Sequence, residues 1–83
     1  MTYKESASAM FSEDYKERFK AEYTQVRERR SRLFEMLTKW DYGKLDFTPD
    51  CPRWVLENQR AYMDAYLEAL ELRAEIEHIS LKP

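Results

Sequence analysis

Apolar side chains recur at intervals of seven along two long stretches of the chain. Phe19, Val26, Leu33 and Trp40 form the first series, and Tyr15, Tyr23, Met36 and Leu37 widen it on the same side. That spacing predicts an amphipathic helix over residues 12–40. Ser12 is placed to cap it, and Glu13, Asp14 and Glu17 put negative charge in the first turns, where the helix dipole favours it. The pattern breaks over residues 41–51, which hold the single glycine, Gly43, and Pro49, with Pro52 just beyond; this predicts a turn. Leu45 and Phe47 inside it are expected to fold back over the end of the helices with Trp40 and Trp54. A second helix is expected over 52–79, capped by Thr48 or Asp50. It carries two adjacent seams. One is Val55, Tyr62, Ala69 and Ile76; the other is Leu56, Met63 and Leu70, with Tyr66 and Leu67 between them. One seam can pack on the first helix, which leaves the other for a second subunit or for a collapsed N-terminal segment. Residues 1–11 are polar and small apart from Met10 and Phe11 and read as a tail or short lead-in.

The expected fold is therefore all-α: an antiparallel hairpin of two long amphipathic helices in one domain, 12–83, assembling as a homo-oligomeric helical bundle. Folding the chain about its turn puts Trp40 near Pro52, Leu33 near Gln59, Arg30 near Tyr62, Val26 near Tyr66 and Phe19 near Arg73. Glu22 could meet Arg73 across the pair. Residues 12–40 carry eight basic and six acidic side chains, and residues 52–83 carry four and six. The excess of +2 on one helix and −2 on the other favours their pairing modestly.

Composition sharpens the oligomer expectation. Eighty-three residues bury little apolar area unaided, and Cys51 is the only cysteine, so no internal disulfide can help. Cys51 and His78 cannot make a four-ligand zinc site. The lone thiol suits a reducing compartment, the first residues lack a signal-peptide pattern, and no stretch approaches a membrane span. A net charge of −2 argues against general nucleic-acid binding.

The most unusual local feature is Arg27-Glu28-Arg29-Arg30-Ser31-Arg32, with four arginines in six residues. Arg30 lies at the edge of the apolar seam, where a cation needs an anion or a carboxylate. The hairpin expectation sets Gln59, Arg60, Tyr62, Met63 and Tyr66 opposite. Guanidinium forks beside aromatic rings and an amide suit a phosphate and a stacked base. The candidate ligand site is thus Arg27, Arg30, Gln59, Arg60, Tyr62, Tyr66 and Tyr23. The competing structural reading has the arginines paired with carboxylates on the other helix or another subunit, their stems covering apolar surface. Catalysis has little support: His78 has no second histidine, Cys51 has no adjacent base, and the run Glu68, Glu71, Glu75 follows the spacing of a solvated face. The expectation is a non-enzyme without cofactor or metal.

The run Tyr15-x-x-Arg18-x-x-x-Glu22-Tyr23-x-x-x-Arg27, then Leu33 with Met36-Leu37, then Leu56-x-x-Gln59-x-x-x-Met63-x-x-Tyr66-Leu67-x-x-Leu70-x-x-Arg73, resembles small helical-hairpin proteins encoded by gut bacteriophages and prophages and described as related to a crAss-like phage protein. The resemblance covers about residues 15–77, and the N-terminal extension and aromatic-rich turn depart from it. It implies a phage accessory protein in the bacterial host cytoplasm, and no family activity comes with it. Such proteins often inhibit host defence. Three functions fit: sequestration of a small anionic nucleotide immune signal, cyclic or of ADP-ribose type, between subunits; protein–protein inhibition of a host nuclease or defence effector, as an anti-CRISPR does; or a structural or regulatory phage oligomer. The first uses the arginines, the tyrosines and the surplus seam together. Its architectural comparison is to phage hairpin proteins that trap nucleotides.

Overall fold

The structure is a computed structural model that describes residues 1–82; Pro83, the last residue of the expected domain, lies outside them. Among the described residues the fold is all-helical, with three helices: α1 (Tyr3–Ala9), α2 (Tyr15–Asp41) and α3 (Arg53–Glu77). None of them is long and apolar enough to cross a membrane. α2 is the middle element. It touches α1 and α3, which do not touch each other. The molecule measures 43 × 24 × 19 Å, so its thickness is about that of two helices.

Residues 1–11, expected as a tail or short lead-in, hold the helix α1. Thr2 and Glu5 close a reciprocal capping box: the Glu5 amide donates to Thr2 Oγ1 at 3.1 Å and the Thr2 amide donates to Glu5 Oε1 at 2.8 Å. Two small residues explain the docking of so short a helix. Ser6 and Ala21 are fully buried, which lets the backbones approach, and Gln25 Nε2 donates to Ser6 Oγ at 2.7 Å.

The caps of the long helices also differ from expectation. Asp14, and not Ser12, caps α2 by accepting from the Lys16 amide at 2.9 Å, while Ser12 accepts from the Asp14 amide one step earlier. Neither Thr48 nor Asp50 caps α3: Pro52 stands at that position and makes no side-chain cap bond. Proline there has a preset φ and no amide hydrogen to satisfy. α2 ends where Gly43 turns to φ 67° and the Lys44 amide donates back to the Lys39 carbonyl at 2.8 Å. α3 ends at His78, whose φ of 57° is left-handed without being glycine.

Cross-contacts fix the direction of α2 against α3. Tyr15 meets Glu77, Arg30 meets Asp64, and Asp41 meets Arg53, so the two run antiparallel. Phe19 does lie against Arg73, whose guanidinium sits 4.9 Å from the ring centre. Arg30 meets Asp64 in place of Tyr62, and Arg73 meets Glu77 and Tyr15 in place of Glu22. Counting along the pair fixes height along the axis; the 100° rotation per residue decides which neighbour is reached. Leu45 and Phe47 fold back beside Met36 and Lys39 of α2, while Trp54 stays 65% exposed and Arg53 covers the Trp40 ring.

The core is small. Phe19, Leu70, Ala74 and Ile79 pack together, with Tyr23 and Leu81 against them; Leu37 and Leu67 are also buried. The left-handed turn at His78 reverses the chain, the Ile79 amide donates to the Ala74 carbonyl at 2.9 Å, and residues 79–82 return along α2.

One polar lock ties the start of α2 to the end of α3. Tyr15 Oη donates to Glu77 Oε1 at 2.8 Å, and Arg73 donates to both partners, at 2.6 Å to Tyr15 Oη and 3.2 Å to Glu77 Oε2. The Tyr15 hydrogen bond, ahead of Arg73, holds the Glu77 carboxyl below its usual range, and the same bond raises the Tyr15 hydroxyl. A lowered carboxyl stabilises the fold above its unfolded pKa, and that contribution is lost as pH falls through the folded value. Tyr15→Phe should therefore destabilise at neutral pH and converge on the parent in acid. Urea midpoints of the two proteins between about pH 7 and about pH 3 check this; a constant difference would assign the effect to packing alone.

Candidate functional site

A stripe of polar side chains runs down one edge of α2. Lys20, Thr24, Arg27 and Ser31 follow 4–3–4 spacing and so share one face. α1 rises on one side of that stripe and the returning segment Ser80–Lys82 on the other. Together they enclose a cleft of about 420 Å³ whose wall also includes Tyr3, Tyr23, Glu28 and Leu81. This volume suits a mononucleotide-sized molecule.

Each wall has a structural reason to be where it is. Tyr3 belongs to α1, and the Arg32 guanidinium lies 4.8 Å from its ring centre. Tyr23 packs against the buried cluster, which fixes its ring at the cleft margin. Leu81 is held by the same cluster, and this carries Ser80 and Lys82 to the opposite lip.

The electrostatics favour an anion. Lys20, Arg27 and Lys82 face one carboxylate, Glu28. Lys20 is shared with Glu17 at 3.6 Å. Among the described residues Arg27 is in no ion pair, so its fork is available to a phosphate. Hydroxyls of Thr24, Ser31 and Ser80 add neutral hydrogen-bonding groups. The tyrosine rings offer faces for a base.

An adjoining cleft of about 460 Å³ between α2 and α3 is lined by Tyr23, Arg27, Arg30, Asp64, Glu68 and Glu71 among others. Its carboxylates outnumber its cations. Arg30 is already neutralised there by Asp64 at 2.6 Å and lies 4.7 Å from the Phe34 ring centre. Tyr23 and Arg27 line both clefts.

The seven residues singled out from sequence therefore separate. Tyr23 and Arg27 come together in the first cleft, and Arg30 stands next door in an ion pair. Arg60 lies 5.7 Å from the Phe34 ring centre, with its Nε buried and without a hydrogen-bond partner among the described residues. Gln59, Tyr62 and Tyr66 are exposed on α3 and are not among the cleft's lining. Tyr3, Lys20, Thr24, Ser31 and Lys82 were missed. The 4–3–4 spacing on α2 could have found three of them; Tyr3 and Lys82 needed the positions of α1 and the returning segment. Among the described residues no three His, Cys, Asp or Glu side chains gather to hold a metal ion.

A family model described as Sequestin matches residues 13–76. The matched stretch contains Lys20, Tyr23, Thr24, Arg27 and Ser31 and leaves out Tyr3 and Lys82. No curated protein and no solved structure matches the chain.

Proposed function

Because the chain belongs to the Sequestin family, we propose that it binds a small anionic nucleotide and holds it out of circulation without altering it chemically. The observation that carries this reading is the cleft whose wall brings Arg27, Lys20 and Lys82 together with Tyr3 and Tyr23. The cleft's one carboxylate, Glu28, is engaged by Arg32 at 3.1 Å, and among the described residues neither histidine nor cysteine lines the wall. The hydroxyls there have no ready activating base, so the cations are equipped to bind a phosphate, not to cleave it. The family's name denotes sequestration, which agrees with that chemistry.

The finer reading joins this cleft to the resemblance to gut-phage hairpin proteins. The sequestered molecule is then a cyclic or ADP-ribose-type immune signal, and the setting is the cytoplasm of a bacterial host under phage attack. The antiparallel pair of α2 and α3 is the repeating unit, and the working form is a homo-oligomer. A domain of this size with Tyr62, Leu72 and Ile76 each more than 60% exposed has apolar surface in need of a cover.

A ligand that binds only the folded state raises the melting temperature. The test is a thermal-shift panel of cyclic dinucleotides, cyclic ADP-ribose isomers and linear ADP-ribose derivatives. A saturable rise with one class, followed by recovery of that ligand unchanged from the heat-denatured protein, is expected. No shift across the panel would overturn the reading, and recovery of a cleaved product would turn the protein into an enzyme. The exposed rings of Phe11 (89%) and Tyr42 (75%) favour a second reading, a protein–protein inhibitor of a host nuclease or defence effector. A stable complex with such a protein in the absence of any panel shift is its signature.

A further inference from the structure

The outer face of α3 carries a seam that the isolated chain leaves uncovered. Val55, Asn58, Tyr62, Ala65, Ala69, Leu72 and Ile76 follow strict 3–4–3–4–3–4 spacing over six turns. Tyr62 is 73% exposed, Leu72 62% and Ile76 67%. The series Arg60, Leu67 and Ala74 lies on the opposite side of the same helix, where Leu67 and Ala74 are buried against the rest of the fold. α3 therefore has two apolar faces, and intramolecular packing satisfies one.

We propose that the second face binds a second copy of this chain, as a parallel two-stranded coiled coil about a two-fold axis running along α3. The proposal rests on the homo-oligomeric reading above and gives it a surface and an orientation. Three features choose this occupant. The core positions written as a heptad put Val55, Tyr62, Ala69 and Ile76 at a, and Asn58, Ala65 and Leu72 at d. The two ends of the seam, with β-branched Val55 and Ile76 at a and Leu72 at d, follow the pattern that favours two parallel strands, while Tyr62, Ala65 and Ala69 between them are neutral to it. A parallel pairing also sets Asn58 against its own copy, where two amides can bond. An antiparallel pairing that keeps Ala65 and Ala69 in contact would set Asn58 against Ile76, leaving a buried amide unsatisfied.

Charge points the same way. In the parallel arrangement Glu68 at g comes opposite position e of the second copy, where Arg73 stands, twice by symmetry. Arg73 keeps its bonds to Tyr15 and Glu77 within its own chain, so the match is one of charge across the seam. The antiparallel alternative brings Glu68 onto Glu68. Both side chains are exposed, and the side chain of Arg73 is 49% accessible beside Glu77. Such pairs contribute little affinity and chiefly select orientation. The seam spans 22 residues, about 31 Å of helix, and Ala65 and Ala69 at its centre let the two backbones approach closely. The nucleotide cleft lies along α2 on the far side of α3, so a dimer presents two open clefts and takes one ligand per chain.

The test combines solution mass with a cysteine reporter. The full chain should sediment at twice its monomer mass, and Ile76→Glu, at a solvent-facing position, should halve that mass with the circular-dichroism helicity retained. In a Cys51→Ser background, Ala65→Cys should crosslink to itself on mild oxidation. If the protein is monomeric at all concentrations, both this interface and the homo-oligomeric reading fall. If it is oligomeric but Ile76→Glu leaves the mass unchanged, the interface lies elsewhere and only the present proposal falls. If the thiol of Ala65→Cys crosslinks solely to that of a second variant, Ala69→Cys, the pairing is antiparallel and the parallel arrangement is overturned. Ligand binding, read separately in the thermal-shift panel, reports on the cleft whatever the mass shows.

Discussion

Leu70→Ala is expected to cost about 2–5 kcal/mol, the range for deleting a buried leucine side chain where the surroundings collapse only partly. Leu70 is 1% exposed and sits among Phe19, Ala74 and Ile79. Two of those neighbours are held by turns and backbone bonds, so little can move in to fill the space. A domain of this length has a total stability of about 4–12 kcal/mol. The loss is therefore a large share of the whole. Each kcal/mol corresponds to about 4–8 °C in a domain of this size, so the melting temperature should drop by at least about 8 °C. Phe11→Ala removes a larger side chain from a position 89% exposed and should change stability by less than about 0.5 kcal/mol. Equal effects of the two substitutions would mean that the packing described for residues 19, 70, 74 and 79 is wrong.

Arg27→Ala should weaken binding of the proposed nucleotide by about ten- to a hundredfold, since a hydrogen bond to a charged group contributes about 1.5–3 kcal/mol and 1.4 kcal/mol is tenfold. The unliganded melting temperature should stay where it is, because Arg27 is exposed and in no ion pair among the described residues. Isothermal titration of the nucleotide identified by thermal shift reads the first quantity, and a scan without ligand reads the second. Gln59→Ala, at a polar position on α3 outside the cleft, is the matched control and should bind as the parent does. Were Gln59→Ala the damaging change and Arg27→Ala silent, the ligand would bind on α3 and not beside α1.

The contrast between these residues marks how far the sequence could be read. The two long helices were legible because their apolar period runs for many turns: Phe19 and Leu37 on one, Leu67 and Leu70 on the other, fall where the pattern puts buried positions. The choice between the two seams of α3 was not legible, since both repeat every seven residues. Packing against α2 selects the one containing Leu70. α1 escaped because seven residues give less than two turns of helical periodicity, although Thr2 and Glu5 carried its capping signature. At the site, charge drew attention to Arg27 and Arg30 alike, yet only structure shows that Asp64 occupies one of them. Tyr62 and Tyr66 stood at the right height along the helix pair and at the wrong angle around α3. Lys82 was beyond reach of any periodic argument, because it joins the cleft through the left-handed turn at His78.

The reversal at His78 has a practical corollary for handling the molecule. Met1 and Thr2 line one lip of the cleft while Ser80–Lys82 line the other, so a purification tag, dye or surface linker joined ahead of Met1 emerges at the mouth. Such an attachment competes with the ligand or shields it, and a weak binding signal from a tagged sample would report the handle and not the protein. Tyr42, exposed at the C-cap of α2, lies about 16 Å along the helix axis from Ser31. A fluorophore or immobilisation point belongs there.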